Sequence, residues 1–458
     1  MDPLSLPRPA VRAFAAALIL LISFVFVLTL IPSAYAATPI YVRTDGNDVE
    51  CDGTADVAYP GGSGPLACAV QTIGQGVALV DPGGTVYVRT GVYVLSAVVN
   101  VNKTGITLDG DGASATIVQV SGSGDRFDIS ASGVTMQDFE IEKTDTAGPQ
   151  DIIRISNGNN VTIKNNTIHG QYVYPAGDVS RAIMINSGAF SGLNIEGNTL
   201  YNLRQPAYIS GTHTGTVQNN YTYSTKGWVL EGGNLTFTGN TWGSGAQANV
   251  YDIAILSAMP GGYYTDIVAM SNANNEAVIE DQRVGPAVLS VVYVDDSAPV
   301  CSDCGGRLQP YQSIGPAVTR VVAGGTIKVA AGTYAETVSI DKGLTLQCAQ
   351  AGVPVGSRTA GSGAETIIDA SGLAKGIIIT ANNVKVDGCD VAGNSATYAG
   401  VQIYATLGTG NRSSVDVVNN FIHGMALPNP SSSAYVTSYG VFGLGDLVSG
   451  TRRTLSDV

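Results

Sequence analysis

Five short strands in the first half of the chain, RFDIS, IIRIS, AIMIN, AYIS and WVLEG, carry the residues best suited to ligand chemistry. Aligned on Ile129, Ile155, Ile185, Ile209 and Leu230 as inward residues, they place Asp128, Arg154, Met184, Tyr208 and Val229 in one outward column. Ser130, Ser156, Asn186, Ser210 and Glu231 form a second column beside it. Arg126 and Arg181 begin two of the strands, and the loop after Asn166 adds His169, Tyr172 and Tyr174. A guanidinium presents a planar fork of donors that suits carboxylate or sulfate groups, and a phenol ring suits the face of a sugar. Arg126, Asp128, Arg154, Arg181, Tyr208 and Glu231 are therefore candidates to line a carbohydrate groove. The structural alternative is a surface ion pair between Asp128 and Arg154, one rung apart, worth under about 1 kcal/mol.

Other constellations are less specific. Hydrolysis of a glycosidic bond needs two carboxyl groups about 5 to 10 Å apart. Asp138, Glu140 and Glu142 read as one face at period two and could supply them, or form an exposed acidic strand. Asp48, Glu50, Asp52 and Gly53, with Asp45 and Asp56 beside them, have the spacing that opens a calcium loop. Tyr59, however, stands where the closing bidentate Glu belongs. Calcium is the one cofactor this pattern admits, and a solvated acidic loop is the favoured explanation. His169 and His423 both follow Asn-Asn-x-Ile, which marks them as repeat-equivalent positions. No residue is assigned a catalytic role.

Among the cysteines, Cys51 and Cys68 bracket a Gly/Pro-rich loop and are expected to pair. Connectivity among Cys301, Cys304, Cys348 and Cys389 stays open. The CSDC spacing also permits a redox or metal role, although there is no second Cys pair and no nearby His.

The elements that must position these side chains announce themselves by repetition. QTIGQGVALVDPGGTVYVRTGVYV, from Gln71, aligns without a gap on QSIGPAVTRVVAGGTIKVAAGTYAETV, from Gln312, 241 residues later. Each copy reads as a short amphipathic helix ended by Gly-Gly, then an alternating strand and a Gly-x-Tyr turn. Between the copies run short strands whose leading residues Ile106, Val134, Val161, Leu193 and Leu235 recur at 28, 27, 32 and 42 residues. That period, with apolar alternation and no intervening helices, is the signature of a β-solenoid, in which stacking covers the apolar face each turn cannot bury alone. Asn166, Asn198, Asn220, Asn240 and Asn420 follow the strands at equivalent places and are expected to bond along a ladder inside the bend. NVYDIAILSA, YTDIVAMSN and AVIEDQRV read as the last strands of the first unit.

Residues 1–36 read as a secretory signal peptide. Arg8 and Arg12 precede an apolar run over 13–31, and Ala34, Tyr35 and Ala36 give the small-residue pattern, with cleavage expected after Ala36. The run is also long enough for an uncleaved anchor. Two units follow, 37–290 and a shorter or truncated 291–458, and neither holds another apolar stretch of membrane-spanning length. The full chain carries 23 basic and 36 acidic residues, and removal of the signal leaves 21 against 35. Such a balance offers no footprint for nucleic acid and argues mildly against a polyanionic ligand. An extracellular or cell-surface location follows from the signal.

The opening pattern of strand, Cys-containing loop, Gln-Thr/Ser-Ile helix, Gly-Gly-Thr, strand and Gly-x-Tyr resembles the cap and first coil of the pectin lyase-like superfamily. The likeness is greatest to its secreted bacterial right-handed parallel β-helix repeat proteins, and it covers nearly all of residues 38–440. It implies an all-β fold of two consecutive right-handed parallel β-helices, each with a short N-terminal capping helix. It implies function poorly, because one opening precedes many activities. Enzymatic relatives work on an outward strand stripe, with an Arg or Lys base and often calcium in the lyases. The Asn-Thr-Asp, Gly-His-Gly and Arg-Ile-Lys set of the polygalacturonases is absent. GTYAE at 332–336 matches one methylesterase motif without its partner, so Glu336 is carried over as a structural residue. The first reading is an exported protein making non-catalytic adhesive or carbohydrate contact through its solenoid face. The alternative is a polysaccharide lyase or glycoside hydrolase acting on a pectin-like or other uronate-containing polysaccharide.

Overall fold

The computed structural model describes residues 37–458 apart from 178, 302, 406–411, 427–438, 446, 449–450, 453–454 and 457–458, so the signal peptide expected at 1–36 lies outside the described residues. The chain is a right-handed parallel β-helix. In the first unit each turn contributes one strand to each of three parallel sheets, as with Asp151–Ile155, Thr162–Lys164 and Thr167–His169. The strands are short because a rung must turn a corner every few residues. Their inward Ile, Val and Leu side chains, among them Ile129, Ile155 and Ile185, are fully buried.

The tight corner between the second and third of these strands is built on asparagine. Asn165 and Asn219 adopt left-handed backbone, which Asn tolerates better than other side-chain-bearing residues. The following residues form a buried ladder. Asn166 Nδ2 donates to Asn198 Oδ1 (3.2 Å), Asn198 to Asn220 (3.0 Å), Asn220 to Asn240 (2.9 Å) and Asn240 to Asn274 (2.7 Å). Asn420 serves the same corner of the second unit, accepting from Cys389 N (2.7 Å) and donating to Val386 O (2.9 Å).

Both capping helices form, Ile73–Leu79 and Ile314–Arg320. They stop before the glycine pairs; Gly324 and Gly325 instead lie within the strand Val321–Val329. The expected strand in YTDIVAMSN is a helix, Ile267–Asn272, because the Asp266 side chain caps it by accepting from Ala269 N (2.8 Å). The disulfides are Cys51–Cys68, Cys301–Cys304 and Cys348–Cys389.

One sheet runs through both units. Its strands stack in parallel from Val99–Val101 to Ile279–Asp281. The next strand, Val288–Val294, pairs antiparallel, and the second unit then continues in parallel from it. With the coil right-handed on both sides, this reversal sets the second unit on the outer side of the shared sheet. Polar contacts, some of them buried, fasten the join. Arg307 pairs with the fully buried Asp252, Arg320 bonds Glu280 (3.0 Å) and Asp303 (3.1 Å), and the Tyr251 hydroxyl donates to Asp303 (2.8 Å).

Candidate functional site

The five strands align in the register the sequence implies. Asp128, Arg154, Met184, Tyr208 and Val229 face outward as direct neighbours on successive strands, with Ile129, Ile155, Ile185, Ile209 and Leu230 inward. Of the second column, Ser156 and Ser210 donate back to the carbonyls of Ile129 (3.3 Å) and Ile185 (3.1 Å). That leaves Ser130, Asn186 and Glu231 as its outward functional groups.

The two central arginines find carboxylate partners that the outward columns did not contain. Arg154 donates to Asp125 (2.9 Å) and Asn186 (3.2 Å), so its ion pair is with Asp125, not Asp128. The bond to Asp125 raises its pKa. Arg181 donates to Asp151 (3.1 Å) and Gln205 (2.9 Å), and its guanidinium lies 4.9 Å from the centre of the Tyr208 ring. Burial pushes the Asp151 carboxyl above the ordinary carboxylate range, opposed by Arg181 and aided by the nearby charge of Asp125. Burial, then a hydrogen bond with Glu231, raises the Tyr208 phenol. One oxygen of Asp128, Oδ1, is shielded from solvent and has no hydrogen-bond partner.

Arg126 does not join this face. It is 7% exposed and wraps its own loop, donating to the carbonyls of Ser121, Ser123, Gly124 and Asp125. Asp125, Asp151 and Gln205 are the members that the sequence reading missed. A signal for Asp151 existed, since it occupies in DIIRIS the place Arg181 occupies in RAIMIN and the two are register partners.

His169 lies on the neighbouring sheet, where it stacks on Tyr201 (4.7 Å), which stacks on Tyr223 (4.6 Å). His169 Nε2 meets Glu140 (3.2 Å) and His423 Nε2 meets Asp390 (2.8 Å), equivalent contacts in the two units. Tyr172 and Tyr174 belong to a hairpin, and the Tyr174 hydroxyl donates to Gln309 of the second unit (3.3 Å). Asp138 does not share a face with Glu140 and Glu142. It sits in left-handed backbone before their strand, Glu140–Lys143, where burial, then the charge of Asp109, raises its pKa.

The carboxylates of the N-terminal loop serve separate donors. Asp48 accepts from Gln71 N (2.7 Å), Thr72 N (2.9 Å) and the Thr72 hydroxyl (2.7 Å), Glu50 from Gly64 N (2.5 Å), and Asp52 from Thr54 N (2.9 Å). They fasten the loop and the start of the first capping helix, an arrangement that does not converge on one ion. Among the described residues no group of three or more His, Cys, Asp and Glu side chains could hold a metal ion. Glu336 accepts from Ile314 N (2.6 Å) and Gly315 N (2.9 Å) and so caps the second helix.

No family model and no curated protein sequence matches the chain. Among solved structures it is similar to the catalytic domain of a GH87 alpha-1,3-glucanase in complex with nigerose, at 15% identity over 87% of this chain and 71% of that one, with a TM-score of 0.32. It is also similar to a mannuronan C-5 epimerase A-module from Azotobacter vinelandii, at 14% identity over 78% of this chain and 91% of that one, TM-score 0.26. A third is a PL6 family alginate lyase, at 11% identity over 81% and 78% of the two chains, TM-score 0.18. What this chain has in common with them is the parallel β-helix fold.

Proposed function

We propose that the protein is an exported β-helix that contacts polysaccharide through the outward face built on Asp128, Arg154, Arg181, Tyr208 and Glu231, without cleaving it. The observation that carries this reading is the clustering of Tyr208, two arginines, Asn186, Gln205 and four carboxylates on or beside adjoining strands of one sheet. Hydroxyl-rich ligands are held by such fixed donors and acceptors beside an aromatic ring. The three disulfides suit an oxidising compartment, and no helix among the described residues is long and apolar enough to cross a membrane. In a polysaccharide-binding panel, the Arg181→Ala/Tyr208→Ala double variant is expected to lose about tenfold or more in affinity for the glycan that the wild type retains. Unchanged retention by the variant would overturn the reading.

Asp151 favours a second reading, hydrolysis. Its raised carboxyl has the character of a general acid, and Asp125 lies near enough for its charge to act on it. Release of reducing ends by the wild type, absent from Asp151→Asn, would make the contact face an active site.

A further inference from the structure

Resting on the glycan-contact reading, we infer that the polysaccharide held on this face is uncharged, not a polyuronate or a sulfated chain. Recognition of an acidic sugar needs positive charge that is free to meet it. Here both guanidiniums of the face are already committed, Arg154 to Asp125 and Asn186, and Arg181 to Asp151 and Gln205, with Tyr208 beneath it. Arg126 is occupied by backbone carbonyls.

On the face itself Asp125, Asp128, Asp151 and Glu231 stand against Arg154 and Arg181, with Arg204 and Lys226 at its margin beside Gln205. A uronate could take an arginine only by displacing its carboxylate, which would then remain half-buried beside the new negative charge. Separating such a pair is unfavourable, because the group left behind loses its partner without regaining full hydration. The side chains of Asp125 and Asp151 are 22% and 17% exposed, too little for water to replace the arginines fully.

The surface does offer acceptors. The carboxylates of Asp125, Asp151 and Glu231 and the amide oxygen of Asn186 are hydrogen-bond acceptors on or beside adjoining strands. Sugar hydroxyls donate to acceptors of this kind, whereas an ionised carboxylate or sulfate group donates nothing. The chain's formal net charge of −13 adds repulsion of a polyanion at long range.

The test is affinity electrophoresis in native gels that contain a linear α-glucan, a linear β-glucan, polygalacturonate, alginate or dextran sulfate. The wild type is expected to be retarded by an uncharged glucan and by none of the polyanions. The Asp125→Asn/Asp151→Asn variant, its fold checked by circular dichroism, should gain about tenfold or more in retention by polygalacturonate, because both arginines are released. Retardation of the wild type by polygalacturonate or alginate that disappears in Arg154→Ala/Arg181→Ala would overturn the inference and leave glycan contact standing. Retardation by none of the glycans would overturn both.

Discussion

His213 shows how a single residue can be settled by its surroundings. It is fully buried and stacks on Phe190 at 4.7 Å. Its Nδ1 accepts from Phe190 N (3.1 Å) while Nε2 meets the Asn186 carbonyl (2.9 Å), so the neutral ring satisfies both partners. Burial lowers its pKa below the ordinary 6.5. The unfolded chain therefore takes up a proton that the folded one refuses, and stability falls as pH drops below that value. The wild-type melting temperature is expected to decline more between about pH 7.5 and 5 than that of His213→Gln, which keeps a donor and an acceptor but cannot titrate. Equal declines in the two proteins would remove His213 as the cause. At this scale the outward column of Asp128, Arg154 and Tyr208 was legible, because alternation fixes which side a residue faces. Its ion pairs were not legible. Asp125 lies before its strand, and Ile152 and Ile153 are both buried, so strict alternation fails just where Asp151 turns outward.

The asparagine ladder carries the corresponding lesson for elements. Asn220 accepts from the backbone N and Nδ2 of Asn198 (both 3.0 Å) and donates to Ile195 O (3.0 Å) and Asn240 Oδ1 (2.9 Å), all in the interior. Asn220→Ala orphans several buried groups at once and is expected to destabilise the protein by about 3 kcal/mol in urea unfolding. A change below about 1 kcal/mol would mean that water replaces the side chain. Four of the five rungs of this ladder could be read from the strand-Asn-Asn/Gly-Asn pattern that precedes Asn166, Asn198, Asn220 and Asn240. Asn274 could not, because it follows a helix and its segment lacks the alternating strand that marks the others.

For the whole molecule, the motif repeated at a spacing of 241 residues made two capped coils legible, yet a repeated motif says nothing of how its copies face each other. Their relation is set by the antiparallel pairing at Glu280–Leu289 and by the Arg307–Asp252 and Arg320–Glu280 contacts. Arg307→Ala leaves the Asp252 carboxylate buried without its cation. It is expected to destabilise the junction by about 3 to 5 kcal/mol and to split unfolding into two transitions in denaturant. A single unshifted transition would show that the pair does not couple the units. The reversal also shapes the candidate face. Followed strand by strand, the outward column passes from Tyr208 to Val229, Ala254 and Glu280, all three of them under 9% exposed, and Glu280 is held by Arg320 of the second capping helix. A polysaccharide laid along this column from Asp128 would run up against the second unit, as against a kerb. If polysaccharide is held on this face as proposed, a path blocked at that end would give it a direction and favour the terminus of a sugar chain over its middle.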